Sequence, residues 1–240
     1  MNDASTDRAS DPTEVVAIDG PSGAGKSTVA KMVAQKLGYQ YLDTGAMYRA
    51  VTWHFLSRDC APGQHAPSAA ADTAQAEQVM RRTLAEMRLQ LQGGGRVLVD
   101  GREVTAHLRS HMVEARVSAV SALPFVRQAM TELQREVARH GPVVAEGRDM
   151  GSVVFPHARW KVFLTAEPRE RARRRQRDFA ARGREVSERE TLAEIEVRDR
   201  LDSTRRDAPL VQAADATCID STGRSTEQVV DAILALVRGR

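Results

Sequence analysis

The stretch Glu14–Ser27, Glu-Val-Val-Ala-Ile-Asp-Gly-Pro-Ser-Gly-Ala-Gly-Lys-Ser (EVVAIDGPSGAGKS), decides the fold. Its first six residues are an apolar run ending in Asp19 and then Gly-Pro, the pattern of a short buried strand. Residues Gly20, Pro21, Ser22, Gly23, Ala24, Gly25, Lys26 and Ser27 match G-x-x-x-x-G-K-S. Thr28 follows at the head of a segment, Lys26–Leu37, whose Val29, Met32, Val33 and Leu37 fall on one helical face before Gly38. Strand, glycine-rich loop and helix in that order form a phosphate cradle. The glycines let backbone N–H groups turn inward, and the helix N-terminus adds partial positive charge. Lys26 reaches the β- and γ-phosphates, and the Ser27 hydroxyl is suited to Mg²⁺. Nucleoside triphosphate binding follows, with ATP and Mg²⁺ as the expected donor pair.

Working outward, strands and helices alternate. Strands are expected at Tyr39–Asp43, Val143–Glu146, Lys161–Thr165 and Ala216–Asp220. Helices are expected at Ala46–Ser57, Pro124–His140, Pro168–Ala181, Glu188–Arg205 and Thr226–Arg238. The alternation predicts an α/β fold with a doubly wound parallel sheet, a three-layer core around the phosphate loop. The middle breaks the rhythm. Cys60–Thr73 is rich in Ala, Pro, Gly and His and reads as a loop. Met87–Gln92 and Val97–Asp100 flank three glycines as a β-hairpin. Residues 60–122 therefore read as an inserted lobe with its own small sheet, within one phosphate-loop domain over 14–240. Residues 1–13 read as a disordered tail.

The composition excludes several classes. The chain has 240 residues, a formal net charge of +3 and 28% charged residues, ordinary for a globular protein. No apolar run is long enough for a membrane span, and the first dozen residues lack a secretory core. Cys60 and Cys218 are too few for a disulfide framework or a four-ligand zinc site, so a reducing cytoplasm is expected. His107 and His111 are the one histidine pair at helical spacing, without the glutamate of a zinc motif. A GTPase would need N-K-x-D, which the four lysines (26, 31, 36 and 161) do not supply. The segment Val143–Asp149 (VVAEGRD) is the nearest approach to a helicase-type metal strand.

The other cations are arginines, which grip phosphate oxygens in planar, bidentate fashion. Eight lie within the 16 residues Arg169–Arg184, at 169, 171, 173, 174, 175, 177, 182 and 184. A solvated basic helix, a nucleic-acid patch and a lid over ATP all fit. Its position after an apolar strand favours a lid over 168–186. Arg171 and Arg175 share one face of it.

Three further segments accompany the phosphate loop: Asp43–Arg49 (DTGAMYR), Gly147–Pro156 (GRDMGSVVFP) and Arg198–Leu210 (RDRLDSTRRDAPL). Thr44 reads as a cap for the helix that follows. In this order and spacing the chain resembles the bacterial cytidylate kinases, a nucleoside monophosphate kinase family. The resemblance runs from about Glu14 to the C-terminus, with Thr44 where the family usually has Ser. It implies transfer of the ATP γ-phosphoryl to CMP and dCMP by a cytoplasmic monomer with no nucleic acid or membrane partner. Carried residue by residue, it assigns Arg49, Arg148 and Arg205 to the acceptor phosphate, with Lys26, Arg148 and Arg205 as catalytic groups. Ser118, Arg127 and Asp149 read the base. Arg198 and Asp202 hold the ribose, and Thr44 and Tyr48 complete the pocket. A phosphate dianion attacks without a general base, so a site rich in arginine and poor in catalytic carboxylates suits the chemistry. Another small P-loop kinase, acting on UMP, AMP or a small alcohol, and a nucleotide-dependent RNA-binding protein remain the alternatives.

Overall fold

The computed structural model describes residues 14–63, 70–181 and 183–239. The expected tail, residues 64–69 of the Cys60–Thr73 loop and Arg182 lie outside them. The chain divides into two compact units: residues 1–42, 135–203 and 208–240, and residues 43–134 with 204–207.

The first unit opens with β1 (Val15–Asp19), α1 (Lys26–Leu37) and β2 (Gln40–Asp43). In the second unit come α2 (Thr44–Ser57), α3 (Ala70–Glu86), β3 (Leu89–Gln92), β4 (Arg96–Val99), β5 (Arg102–Glu103) and α4 (His111–Ser121). The helix α5 (Pro124–Arg139) leads to β6 (Val143–Glu146), β7 (Trp160–Thr165), α6 (Pro168–Ala180), α7 (Glu188–Thr204), β8 (Thr217–Asp220) and α8 (Thr226–Arg238).

Five strands form one sheet in the order β2-β6-β1-β7-β8. β1 runs parallel to β6 and to β7, and β7 parallel to β8. All five residues of the central β1 are buried, as expected of a strand covered on both faces. On one face β1, β6 and β7 pack against α1 and α8: Val16, Ile18, Val144, Val162 and Leu164 meet Val29, Val33, Val230 and Ile233. α8 starts in a reciprocal cap, the Ser225 side chain taking the Gln228 N–H and the Gln228 side chain the Ser225 N–H. α1 begins at Gly25 and ends at Gly38, both left-handed (φ 92° and 71°).

In the second unit a three-stranded antiparallel sheet, β3-β4-β5, carries the expected hairpin, with Leu89 opposite Val99 and Leu91 opposite Val97. Val97, Val99, Val104 and Leu108 pack on Ala46 and Ala50 of α2. β5 and α3 were not expected. Asp100 (φ 52°) and Gly101 (φ 78°) make the tight turn that returns the chain into β5. Ala70 already belongs to α3, so the end of the expected loop is helical.

Ideal carboxyl ends of parallel strands are where such folds bind ligands, and here they hold the informative loops. Ile18 of β1 lies beside Glu146 of β6, and the Gly147 N–H donates to Ile18 O (3.0 Å). The phosphate loop and the Gly147-Arg148-Asp149 loop thus leave adjacent strands side by side. Gly20 makes this possible: a Cβ there would stand 1.9 Å from Leu164 O, at a φ of 146°. Gly20→Ala is expected to cost more than about 3 kcal/mol and lower the melting temperature by roughly 10 °C. Gly93→Ala, which meets nothing within 4 Å, is the control and should melt like the parent. Equal melting of both variants would show that the loop tolerates a side chain at Gly20.

Candidate active site

The loop Gly20–Gly25 is held from outside by its carbonyl oxygens. The Ser22 oxygen accepts from Arg171 Nη1 (3.1 Å), and the Ala24 oxygen from Ser221 Oγ (3.2 Å) and Arg174 Nη1 (3.4 Å). The Ser22 N–H donates to Asp199 Oδ1 (3.3 Å), whose other oxygen pairs with Arg171 (2.5 Å). A Cβ on Gly23 would approach Arg171 O to 2.9 Å, so glycine is required where α6 crosses the loop. Arg171 is buried, and Arg175 and Arg184 stack on the Phe179 ring at 4.7 and 4.6 Å. The pair expected on one face of a lid is therefore split between two tasks. Arg171 braces the phosphate loop because its guanidinium is long enough to cap a carbonyl that would otherwise be buried unpaired.

Lys26 heads α1 and is 5% exposed; its ammonium donates to Pro21 O (2.8 Å). Burial chiefly, together with the charge of Arg148, lowers its pKa to about 7, against the attraction of Glu146 and Asp19. The Ser27 hydroxyl donates to Glu146 Oε1 (2.5 Å), which also accepts from Tyr41 (3.2 Å). A hydroxyl and a carboxylate meeting beside the loop are the hard oxygen ligands Mg²⁺ takes in small number, leaving its remaining positions to phosphate and water. Thr28 is exposed on the first turn of α1.

Asp19, at the end of β1, uses both carboxylate oxygens. Oδ1 accepts from the Met150 N–H and Oδ2 from the Gly151 N–H, each at 2.8 Å. Burial pushes its pKa up to about 6 in spite of these two bonds. The residues it holds begin a wide helical turn, Met150–Val154, directly after Arg148 and Asp149. Asp149 is buried, and Arg148 Nε donates to Asp202 Oδ2 of α7 (2.7 Å). Arg148, Asp149, Asp202 and half-buried Arg198 all belong to the first unit. Asp202 is buried and holds an arginine, a task beyond the ribose contact expected of it.

The second unit gathers the remaining residues. Thr44 is the first residue of α2 and buried, but it does not cap the helix. The extended backbone at Asp43 lets that carboxylate accept the Ala46 N–H (2.7 Å) and cap it instead. Asp43 also lies 3.4 Å from Arg49 Nη2, fixing the arginine against its own helix start. Tyr48 is buried, and Arg127, on α5, stands over its ring at 5.7 Å while donating to Ser121 O (3.4 Å). Ser118 is half-buried on α4, the helix whose end Arg127 touches. Arg205 is half-buried just past α7, in the short piece 204–207 that groups with this unit. Glu146 and Asp199 support the loop at positions that the sequence reading did not single out, and Arg171, expected on a lid face, supports it too. Glu146 carried a signal, a charged residue closing a buried apolar strand.

A phosphate cradle at the carboxyl end of a central parallel strand, closed by a buried lysine and a serine–carboxylate pair, defines a P-loop nucleotide-binding protein. The sequence profile of the cytidylate kinases matches residues 16–239. The chain belongs to the cytidylate kinase family. It is 45% identical over 225 residues to the cytidylate kinase of Carboxydothermus hydrogenoformans, covering 92% of this chain and 96% of that one. It is 51% identical over 227 residues to the bifunctional pantoate ligase/cytidylate kinase of Synechococcus sp. (strain CC9311), covering 94% of this chain and 44% of that protein. The chain thus spans less than half the length of its bifunctional relatives. A crystal structure of an uncharacterized protein from Eubacterium ventriosum shares the fold, with a TM-score of 0.51 at 12% identity, covering 94% of this chain and 99% of that one. No helix among the described residues is long and apolar enough to cross a membrane.

An anionic phosphate beside Lys26 restores its charged form, raising a pKa that burial holds near 7. Nucleotide binding should therefore take up protons at pH 7.5. Titration calorimetry with ATP in buffers of different ionisation enthalpy should give different apparent enthalpies, with the sign of uptake. Identical enthalpies would mean that Lys26 is already protonated before nucleotide arrives.

Proposed function

We propose that this chain transfers the γ-phosphoryl group of ATP to CMP, and to dCMP, giving ADP and the nucleoside diphosphate. The observation that carries the reading is the pairing of a built phosphate loop with an arginine-bearing loop, Gly147-Arg148-Asp149, on the adjacent strand. The acceptor phosphate is mostly a dianion at neutral pH, because its second pKa is near 6. An acceptor oxygen attacks the γ-phosphorus in line as the bond to the β,γ-bridging oxygen breaks. No proton has to be removed first. The protein's contribution is positioning and stabilisation of spread negative charge.

The roles divide by charge. The amides of Gly23–Ser27 and the Lys26 ammonium bind the donor phosphates. Ser27 and Glu146 would hold Mg²⁺, which supplies charge neutralisation at the β- and γ-oxygens when bound. Arg49, Arg148 and Arg205 bind the acceptor phosphate. Ser118 and Arg127 donate to cytosine O2 and N3, and Asp149 accepts from its 4-amino group. Arg198 and Asp202 serve the ribose. A purine or a base lacking the amino group leaves buried polar groups unpaired, and that is how the pocket selects. Four of the eight arginines are engaged within the fold, Arg171 and Arg174 with the phosphate loop and Arg175 and Arg184 with Phe179, which favours the kinase reading over the nucleic-acid alternative.

ADP release from Mg·ATP with CMP, dCMP, UMP, AMP, GMP, shikimate and no acceptor tests the reading. Strong turnover with CMP and dCMP, weaker with UMP and negligible with AMP, GMP, shikimate or no acceptor is expected. Preference for a purine or a non-nucleotide would discard the cytosine pocket, and ADP release only with added RNA would discard the kinase reading. Lys26→Ala is expected to lower kcat by roughly 10²–10³-fold in a folded protein. Glu146→Gln should raise the Mg²⁺ concentration for half-maximal turnover about tenfold. An unchanged Mg²⁺ requirement would remove Glu146 from the metal site.

A further inference from the structure

The turn Met150–Val154 follows the acceptor loop and is wider than an α-helix. The Val153 and Val154 N–H groups both donate to Asp149 O (3.0 Å each), and the Phe155 N–H to Met150 O (2.7 Å). Such a short turn cannot supply partners for the N–H groups at its start or the carbonyls at its end. Two charged side chains from separate elements do. Asp19, from the end of β1, takes the Met150 and Gly151 N–H groups, one on each oxygen (2.8 Å and 2.8 Å). Arg135, from α5, donates Nε to Val154 O (2.9 Å) and Nη2 to Val153 O (3.0 Å). Anion at the N-terminal end and cation at the C-terminal end is also the arrangement the turn's own dipoles favour.

Arg148 and Asp149 immediately precede this turn, so fixing it fixes the direction in which their side chains leave the backbone. Lys161 adds a floor. Its ammonium donates to Pro156 O (2.5 Å) and Asp215, while its methylenes pass so close to Gly151 that a Cβ there would be 3.1 Å away. We propose that Asp19 and Arg135 are positioning residues for the acceptor, clamping the Met150–Val154 turn from its two ends so that Arg148 and Asp149 point where the acceptor binds. This rests on the acceptor role given above to Arg148 and Asp149. Neither clamp residue needs to touch a nucleotide. Arg135 is also remote in sequence from the phosphate loop, so its loss should spare the donor side.

The test varies CMP at saturating ATP, and ATP at saturating CMP, in the parent chain and in Arg135→Gln, Arg135→Lys and Asp19→Asn. Arg135→Gln is expected to raise KM for CMP about tenfold, leaving kcat and KM for ATP within about twofold. Arg135→Lys, which can still cap one carbonyl, should recover most of the loss. Asp19→Asn, with one accepting oxygen for two N–H groups, should shift in the same direction. Equilibrium titration with CMP repeats the comparison without turnover. Equal rises in both KM values, or an unchanged CMP affinity in the folded variants, would overturn the clamp. Should Arg135→Gln not fold, Arg135→Lys and Asp19→Asn decide. The parent chain's acceptor panel is read first. If it prefers another monophosphate, the CMP assignment fails there, and the clamp is judged on KM for the acceptor it uses.

Discussion

A loop that turns its amide N–H groups toward an anion must turn its carbonyl oxygens away from it, and those oxygens need donors. In Gly20–Gly25 the donors come from residues far along the chain: Arg171 for Ser22, and Arg174 with Ser221 for Ala24. Burying one such carbonyl without a partner would cost about 1–3 kcal/mol. The phosphate cradle therefore exists only once α6 and the end of β8 are in place. This explains why arginine rather than lysine crowds the start of α6. A planar fork can serve a carbonyl and a carboxylate together, as Arg171 does with Ser22 O and Asp199. The segment that reads in sequence as a lid is, at its root, part of the frame of the phosphate loop.

The same logic governs the charges beneath the loop. Asp19, Lys26, Glu146, Asp149 and Asp202 are each at most 5% exposed. Buried charges persist only when paired or hydrogen-bonded. Asp202 is paired to Arg148, Glu146 takes two hydroxyls, and Asp19 takes two amides. Lys26 is the exception in degree: its ammonium donates to the neutral carbonyl of Pro21, and its pKa falls to about 7. Burial is the main cause, so an anion placed beside Lys26 would favour its charged form.

Much of the frame was legible in sequence because it follows from hydrophobic runs. The segments Val15–Asp19, Val143–Glu146 and Trp160–Thr165 are short, apolar and bounded by turn residues, and all three are central strands. The helix α3 was not legible. Met80 is its one buried hydrophobic among the described side chains, so no apolar stripe marks it. The cap of α2 was misplaced by one residue. Asp43 and Thr44 are both good caps by type, and only the backbone conformation tells which residue stays outside the helix. The Met150–Val154 turn has no sequence signature, because its partners lie 131–132 and 18–19 residues away. For the site, a motif of adjacent residues identifies the donor side, whereas the supports of that motif are tertiary and stay hidden.

That division between visible motif and hidden support has a chemical basis. In a transfer between two phosphates the reacting atoms need no acid or base from the protein, so the functional demand falls on geometry. Residues that contact phosphate must be arginine, lysine, glycine or a hydroxyl, and such a restricted alphabet at close spacing is readable. Residues that hold them can be any donor or acceptor of the right reach. Asp19 and Asp199 are both carboxylates near the phosphate loop, yet one holds the turn after Asp149 and the other holds the loop itself. Nothing in their neighbouring residues separates the two tasks. What separates them is which strand or helix end each occupies, and that is set by the parallel sheet that brings β1 and β6 together.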